Sequence, residues 1–397
     1  MLTSMFRTAA ILGLLSAVGP FAIDMYLPAM PDIGRDMAGD VAAVQMTITA
    51  YFIAFGIAQL VYGPWADQSG RRPPLFVGLA IFILASLGCW FAGSMAALIA
   101  FRFLQGLGAA VFMVVPRAII RDLHTGNEAT RLMALVMLVI SVSPMLAPLA
   151  GSGVIALWGW RAIFAVLCLA AVASLFLIRF ALPETLAPED RVPVHVGTLA
   201  RGARTLLTDR GFMGLTFIGG FGMASFCVFI ASASFVYTGQ YGLSPTGFSL
   251  AFALNALGFF VSSQFAATLG QRFGARRVVL WATAGFAINA LATLVLIAGG
   301  MTALPVLMGG LFLGNACLGL VIPTTMVMAL DDHGDIAGLA SSLGGTLQMI
   351  AGGLVVIATG PFFDGTALPM MAAIAACAVA SFVLALLVLA RAPAVAR

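Results

Sequence analysis

The chain has 397 residues, of which 62% are hydrophobic and 9% charged, with a formal net charge of +4. A soluble domain is usually about 45–50% apolar and about 25% charged, so this composition excludes a soluble enzyme or binding module and requires lipid around its helices. All 19 basic residues are Arg, spread over connecting segments without a basic run, which excludes a nucleic-acid footprint and reads as a membrane-topology signal.

In chain order, twelve apolar segments are long enough to span a bilayer, at roughly 8–29, 43–65, 74–93, 96–116, 131–156, 160–182, 212–236, 246–269, 278–299, 302–328, 337–360 and 367–390. The first follows Arg7, runs past the length of a signal-peptide core and contains Asp24, so it is expected to be a membrane helix. Cys89, Cys168, Cys227, Cys317 and Cys377 each sit in an apolar segment with no CxxC pair and read as packing residues. The polar stretch 183–211 is expected to link a six-helix bundle at 1–182 to a second at 212–397. Its Arg-rich end, with Arg201, Arg204 and Arg210, suggests a short helix on the membrane surface.

Arginine counting sets the orientation. With a cytoplasmic N-terminus, Arg7, Arg71, Arg72, Arg117, Arg121, Arg131, Arg272, Arg276, Arg277, Arg391, Arg397 and the arginines of the 183–211 stretch fall inside, and only Arg35 and Arg161 fall outside. Both termini are therefore expected in the cytoplasm. Gly70-Arg71-Arg72 and Gly274-Ala275-Arg276-Arg277 occupy corresponding places in the two halves, which supports an internal repeat.

Asp24, in the first segment, and Arg102, in the fourth, are the ionisable residues lying well inside spanning stretches. Such groups usually mark a transport path or proton relay. Counting about 1.5 Å per residue puts both roughly 6–10 Å below the outer boundary, so they are expected to pair. The bland alternatives are a helix-capping Asp24 and an Arg102 that pins backbone carbonyls. Between the second and third segments, Gly63 is expected to allow close helix approach and Gly70 a tight turn. Arg71 and Arg72 would anchor to phosphates and helix ends. Asp67 is expected to pair with Arg117 or Arg121 as an inner gate; the alternative is a solvated loop. Pro144, Pro148 and Gly151 in the fifth segment bend it and permit close packing. The second half offers Asn255, Gln264, Asn315 and Gln348 beside a Phe-rich seventh segment that includes Phe221. Such a wall suits a neutral amphiphile better than a sugar. Candidate substrate contacts are Asp24, Tyr26, Gln105, Phe221, Asn255, Asn315 and Gln348. No catalytic constellation is visible: His124, His195 and His333 are far apart, Asp331-Asp332-His333 reads as a solvated loop, and there is no Walker loop.

The run Gly63-Pro64-Trp65-Ala66-Asp67-Gln68-Ser69-Gly70-Arg71-Arg72-Pro73 resembles the signature loop of the major facilitator superfamily, with Gln68 where a basic residue is usual. Arg102-Phe103-Leu104-Gln105-Gly106-Leu107-Gly108-Ala109-Ala110 resembles that superfamily's proton-coupling motif. Ile23-Asp24-Met25-Tyr26-Leu27-Pro28-Ala29-Met30-Pro31 and Ala337-Gly338-Leu339-Ala340-Ser341-Ser342-Leu343 look like the bicyclomycin-resistance (Bcr/CflA) branch of drug/proton antiporters. The fifth segment is similar to the antiporter motif, with Ala147 and Ser152 in place of glycines. The resemblance implies an all-α membrane protein of two pseudo-symmetric six-helix bundles working by alternating access. It implies a monomer in the bacterial inner membrane, driven by the proton gradient without a cofactor. It would export small amphiphilic antibacterials of bicyclomycin or phenicol type, with Asp24 as proton-binding carboxyl and Arg102 as fixed charge. Uptake by proton symport, or movement of a sugar or other metabolite, is the nearest alternative. A membrane-embedded enzyme would need clustered His, Asp or Glu near one interface, and a channel a polar stripe on several helices.

Overall fold

Twelve helices are long and apolar enough to cross a membrane. They belong to a computed structural model that describes residues 2–123, 126–191, 193 and 195–389. His124, Arg391 and Arg397, and the side chains of Arg7 and Arg131, lie outside the described residues. Among those residues the chain is helical, with no strand. The helices are α1 (Leu2–Asp24), α2 (Met30–Asp36), α3 (Val41–Ser69), α4 (Arg72–Phe91), α5 (Met95–Ala109), α6 (Val111–Leu123), α7 (Gly126–Trp158) and α8 (Ala162–Ala181). They continue with α9 (Val196–Thr208), α10 (Arg210–Phe235), α11 (Pro245–Phe273), α12 (Ala275–Ala298), α13 (Leu304–Asp331), α14 (Ala337–Thr359) and α15 (Ala367–Leu389).

Local chemistry sets many of these ends. Asp40 caps α3 by accepting from Ala43 N at 2.7 Å, Ser94 caps α5 from Ala97 N, and Asp209 caps α10 from Phe212 N. Gly70 and Gly274, with φ of 92° and 87°, end α3 and α11 in the left-handed region that glycine adopts without strain. The predicted echo of the two loops is thus also an echo of backbone conformation. Two predicted spans are interrupted. The first breaks after Asp24, where a short 3₁₀ turn, Leu27–Ala29, carries Pro28. The fourth breaks at Ala110, between α5 and α6. Pro144 and Pro148, by contrast, lie inside a continuous α7.

The chain forms two compact units, Met1–Thr198 with Pro245–Leu250, and Leu199–Ser244 with Ala251–Arg397. The polar stretch 183–211 is shared between them rather than standing apart. In the first unit α1 packs on α7, α3 on α5, and α4 on α5 and α8. In the second, α10 packs on α13, α14 and α15, and α12 on α13 and α15. The surface helix expected in the linker is α9, which buries Leu206 and sets Gly202 against Leu339 of α14.

Candidate functional site

The site in the first unit is built around α5. A Cβ on Gly106 would lie 2.3 Å from the Tyr51 carbonyl oxygen, and one on Gly108 would lie 2.6 Å from that of Gly78. Glycine at both positions lets α5 press its backbone against α3 and α4. The same face carries Arg102 and Gln105 inward, and both are 0% exposed.

Arg102 Nη1 donates to Gln105 Oε1 at 2.6 Å and to the Ala22 carbonyl at 3.1 Å. Gln105 Nε2 donates to Ser86 Oγ at 2.8 Å, and Ser86 donates on to the Phe82 carbonyl. The guanidinium carbon lies 4.4 Å from the centre of the Tyr26 ring and 4.5 Å from that of Tyr51, so two aromatic faces hold the cation. Tyr26 donates to Thr47 Oγ1 at 2.7 Å, since Thr47 spends its own proton on the Val44 carbonyl. Nε and Nη2 of Arg102 are buried without a hydrogen-bond partner. A guanidinium stays charged, so this is a fixed positive charge with spare donors.

Asp24 is the last residue of α1 and only 5% exposed. No hydrogen bond or ion pair reaches its side chain among the described residues. The expected ion pair with Arg102 is therefore absent, because Arg102 turns to the Ala22 carbonyl and the two tyrosines. The capping alternative fails as well: Asp24 sits at the negative end of the α1 dipole, where a carboxylate is disfavoured. The carbonyl-pinning alternative for Arg102 is observed. Gly151 of α7 packs at the same break, since its Cβ would lie 2.4 Å from the Met25 carbonyl oxygen. Pro144 and Pro148 precede it on that helix.

A second cluster lies at the α3–α4 loop. Arg71 is 5% exposed, and its Nη1 donates to Asp67 at 2.6 Å. Its Nε and Nη2 donate to Asp122 of α6 at 2.7 and 3.0 Å. This corrects the expected pairing of Asp67 with Arg117 or Arg121, both of which are exposed. The partner is the arginine one turn away, and the fourth span contributes a carboxylate instead of a cation. Thr185 also donates to Asp122. Glu184 accepts from the backbone N–H of Arg71 at 2.8 Å, Arg72 at 3.1 Å, Thr185 at 3.0 Å and Leu186 at 3.2 Å. Partial burial opposes ionisation of this carboxyl, yet the four donors hold it below its usual value. Arg72 reaches the Arg179 carbonyl, a helix end, as expected. Gly63 does not provide the expected close approach: its Cβ would meet only Val114, at 4.0 Å.

In the second unit Asn255 donates to the Tyr237 hydroxyl and the Ala251 carbonyl, leaving Oδ1 buried without a partner. Asn315 faces a small cavity with Ser225, Phe229, Phe286 and Asn289. Gln348 donates to the Thr216 carbonyl at 3.4 Å. These three have different neighbours and form no single cluster. Phe221 lines a groove between α10, α12 and α15, apart from all of them, and Gln264 is exposed. Sequence reasoning missed Tyr51, Ser86, Asp122 and Glu184. Asp122 and Glu184 were visible as charges at helix ends, whereas Ser86 carried no signal.

A profile describing the Major Facilitator Superfamily matches residues 12–356. The chain is 36% identical over 368 residues to an uncharacterized MFS-type transporter of Bacillus subtilis, covering 91% of this chain and 90% of that protein. It is 30% identical over 378 residues to a bicyclomycin resistance protein homolog of Haemophilus influenzae, covering 93% of each. It is 32% identical over 355 residues to multidrug resistance protein D of Escherichia coli, covering 86% and 85%. Among solved structures, a D-xylose–proton symporter superposes with a TM-score of 0.76 at 15% identity over 96% of this chain and 97% of its own, which shows a shared fold.

Proposed function

Since the chain belongs to the Major Facilitator Superfamily and is a multi-pass membrane transporter, we propose that it exports small amphiphilic antibacterials in exchange for protons across a bacterial inner membrane, with both termini cytoplasmic. The observation that carries this reading is Asp24, a buried carboxyl at a helix break with no hydrogen-bond or ion-pair partner among the described residues. An unpaired carboxylate away from water is costly, so such a group trades its charge for a proton or meets a polar ligand. Competition of proton and drug for one carboxyl is the logic of antiport. A drug donating to ionised Asp24 loses that bond when the proton arrives. Arg102 supplies a charge that does not change during the cycle. Gln105 and Ser86 fix its position, and the Tyr26 and Tyr51 rings cover it with apolar surface. The relatives named for resistance to bicyclomycin, to multiple drugs and, in Pseudomonas aeruginosa, to chloramphenicol support the choice of substrate class.

The test is export from everted vesicles under an imposed pH gradient, across a panel of neutral and cationic drugs. Asp24→Asn is expected to remain folded and bind drug while losing export driven by the gradient. Arg102→Ala is expected to impair the same coupling. Full gradient-driven export by Asp24→Asn would overturn the proposal.

A further inference from the structure

A groove of about 690 Å³ runs along the outside of the second unit between α10, α12 and α15. Its walls include Phe221 of α10, Leu291 and Leu294 of α12, and Ala376, Val379 and Val383 of α15. It is almost wholly apolar. The α15 residues recur at three- and four-residue intervals, so they form one continuous face.

Two of the three helices, α10 and α12, also carry arginine where the groove faces continue toward one end of the unit. Phe221 lies eleven residues beyond Arg210, about 16 Å up the helix and only about 20° round it. Leu294 lies eighteen residues beyond Arg276, five full turns and so in phase with it. Arg277 flanks the same face, about 40° from the line of Leu291. Arg276 Nη2 donates to the Leu389 carbonyl at 2.6 Å, which places this arginine at the end of α15. A Cβ on Gly214 would lie 2.5 Å from Val388, so the start of α10 meets that same end. Arg210 and Arg277 make no side-chain hydrogen bond or ion pair among the described residues.

We infer that this groove is a binding site for one anionic phospholipid, with an acyl chain along α15 and the phosphate at Arg210, Arg276 and Arg277. Charge complementarity selects this occupant. An apolar channel alone would take any chain, but arginines at one end of it match a phosphate, which guanidinium binds through paired N–H donors. The arginine bias of the whole chain assigns that end to the cytoplasmic leaflet. The inference does not depend on which drug is carried.

Native mass spectrometry of the purified full-length protein tests it. The delipidated protein is titrated with phosphatidylglycerol or with phosphatidylcholine of the same chains. One phosphatidylglycerol per chain is expected to bind in preference to phosphatidylcholine. Removing the two unpartnered cations in Arg210→Ala/Arg277→Ala should weaken it about 30-fold. Ala376→Trp, at an exposed position in the groove, should abolish retention while leaving every arginine in place. Melting temperatures in lipid-free detergent must match the parent for both variants; a variant that fails this is replaced by Arg277→Gln or Val383→Trp. Equal binding of the two lipids, unchanged binding in either variant, or a lipid-independent dimer that Ala376→Trp disrupts would each overturn the inference.

Discussion

Glycine at position 106 is a steric requirement, whereas glycine at position 63 is not. A methyl group on Gly106 would be driven to 2.3 Å from a backbone oxygen of α3, and a backbone cannot swing aside as a flexible side chain does. Gly106→Ala is therefore expected to lower the melting temperature by several degrees and to displace Arg102 from its two tyrosines. Gly63→Ala meets only Val114 at ordinary contact distance, and alanine is favoured over glycine inside a helix by about 0.5–1 kcal/mol. That variant should melt at or slightly above the parent temperature. Thermal denaturation of the two purified variants checks the pair, and a destabilised Gly63→Ala with a neutral Gly106→Ala would contradict it. Sequence pattern alone gives the two glycines similar weight, because both stand in motif-like runs. Only the neighbouring helix tells them apart. The same holds for partners. Asp24 and Arg102 were legible as buried charges from the apolar runs around them. That Arg102 would prefer a carbonyl and two aromatic faces over Asp24 depends on side-chain direction, which spacing along two different helices does not specify. The Asp67–Arg71 pair was within reach of sequence reasoning, being an i, i+4 pair at a helix end.

At the scale of elements, Glu184 joins the segment after α8 to the start of α4. Its carboxylate meets four backbone N–H groups, two of them the otherwise unsatisfied donors of Arg71 and Arg72 at the start of a helix. Glu184→Gln keeps the size but removes the charge, so the donors lose a charge-assisted acceptor. The expected result is faster trypsin cleavage after Arg191 in the variant, with the helical core unchanged. Acid should act in the same way. The folded-state value of Glu184 is depressed, so its contribution is present above the unfolded value of about 4.5 and is lost as pH falls through the lower folded value. An environment-sensitive fluorophore on Glu189→Cys, at an exposed position, should report an intact tether from about pH 8 to about pH 5 and release only below the ordinary carboxyl value of 4.5. Release near neutral pH would show that the four-donor cradle does not hold the segment. The element boundaries themselves were mostly legible, because apolar length and Asp, Ser and Gly caps mark them. The breaks at Asp24 and Ala110 were not. Pro28 lies four residues past the first, and no proline or glycine stands at the second.

At the scale of the whole molecule, the twelve spans among the described residues follow from hydropathy, because lipid makes an apolar run of about 20 residues nearly synonymous with a crossing helix. The division into two units was legible only in outline. Chain order places a polar stretch between two sets of six, but packing assigns Pro245–Leu250 to the first unit, and no local feature of those residues announces it. Orientation rests on arginine alone. The α3–α4 and α11–α12 junctions are separated by six spans, an even number, so they must open on the same side of the membrane. They carry Arg71, Arg72, Arg272, Arg276 and Arg277, five of the nineteen arginines. The α7–α8 and α12–α13 junctions open on the other side and carry only Arg161. Each arginine resists translocation during insertion, so reversing the molecule would require moving the dense set instead of the sparse one. Single cysteines in a cysteine-free background test this directly. Trp158→Cys, at the exposed end of α7, and Met301→Cys, exposed between α12 and α13, should react with a membrane-impermeant maleimide in intact cells. Gln271→Cys, exposed at the end of α11, should react only after the membrane is opened. Labelling of Gln271→Cys in intact cells would reverse the topology. It would also move the phospholipid site to the outer leaflet and turn the proposed export into uptake by the same machinery.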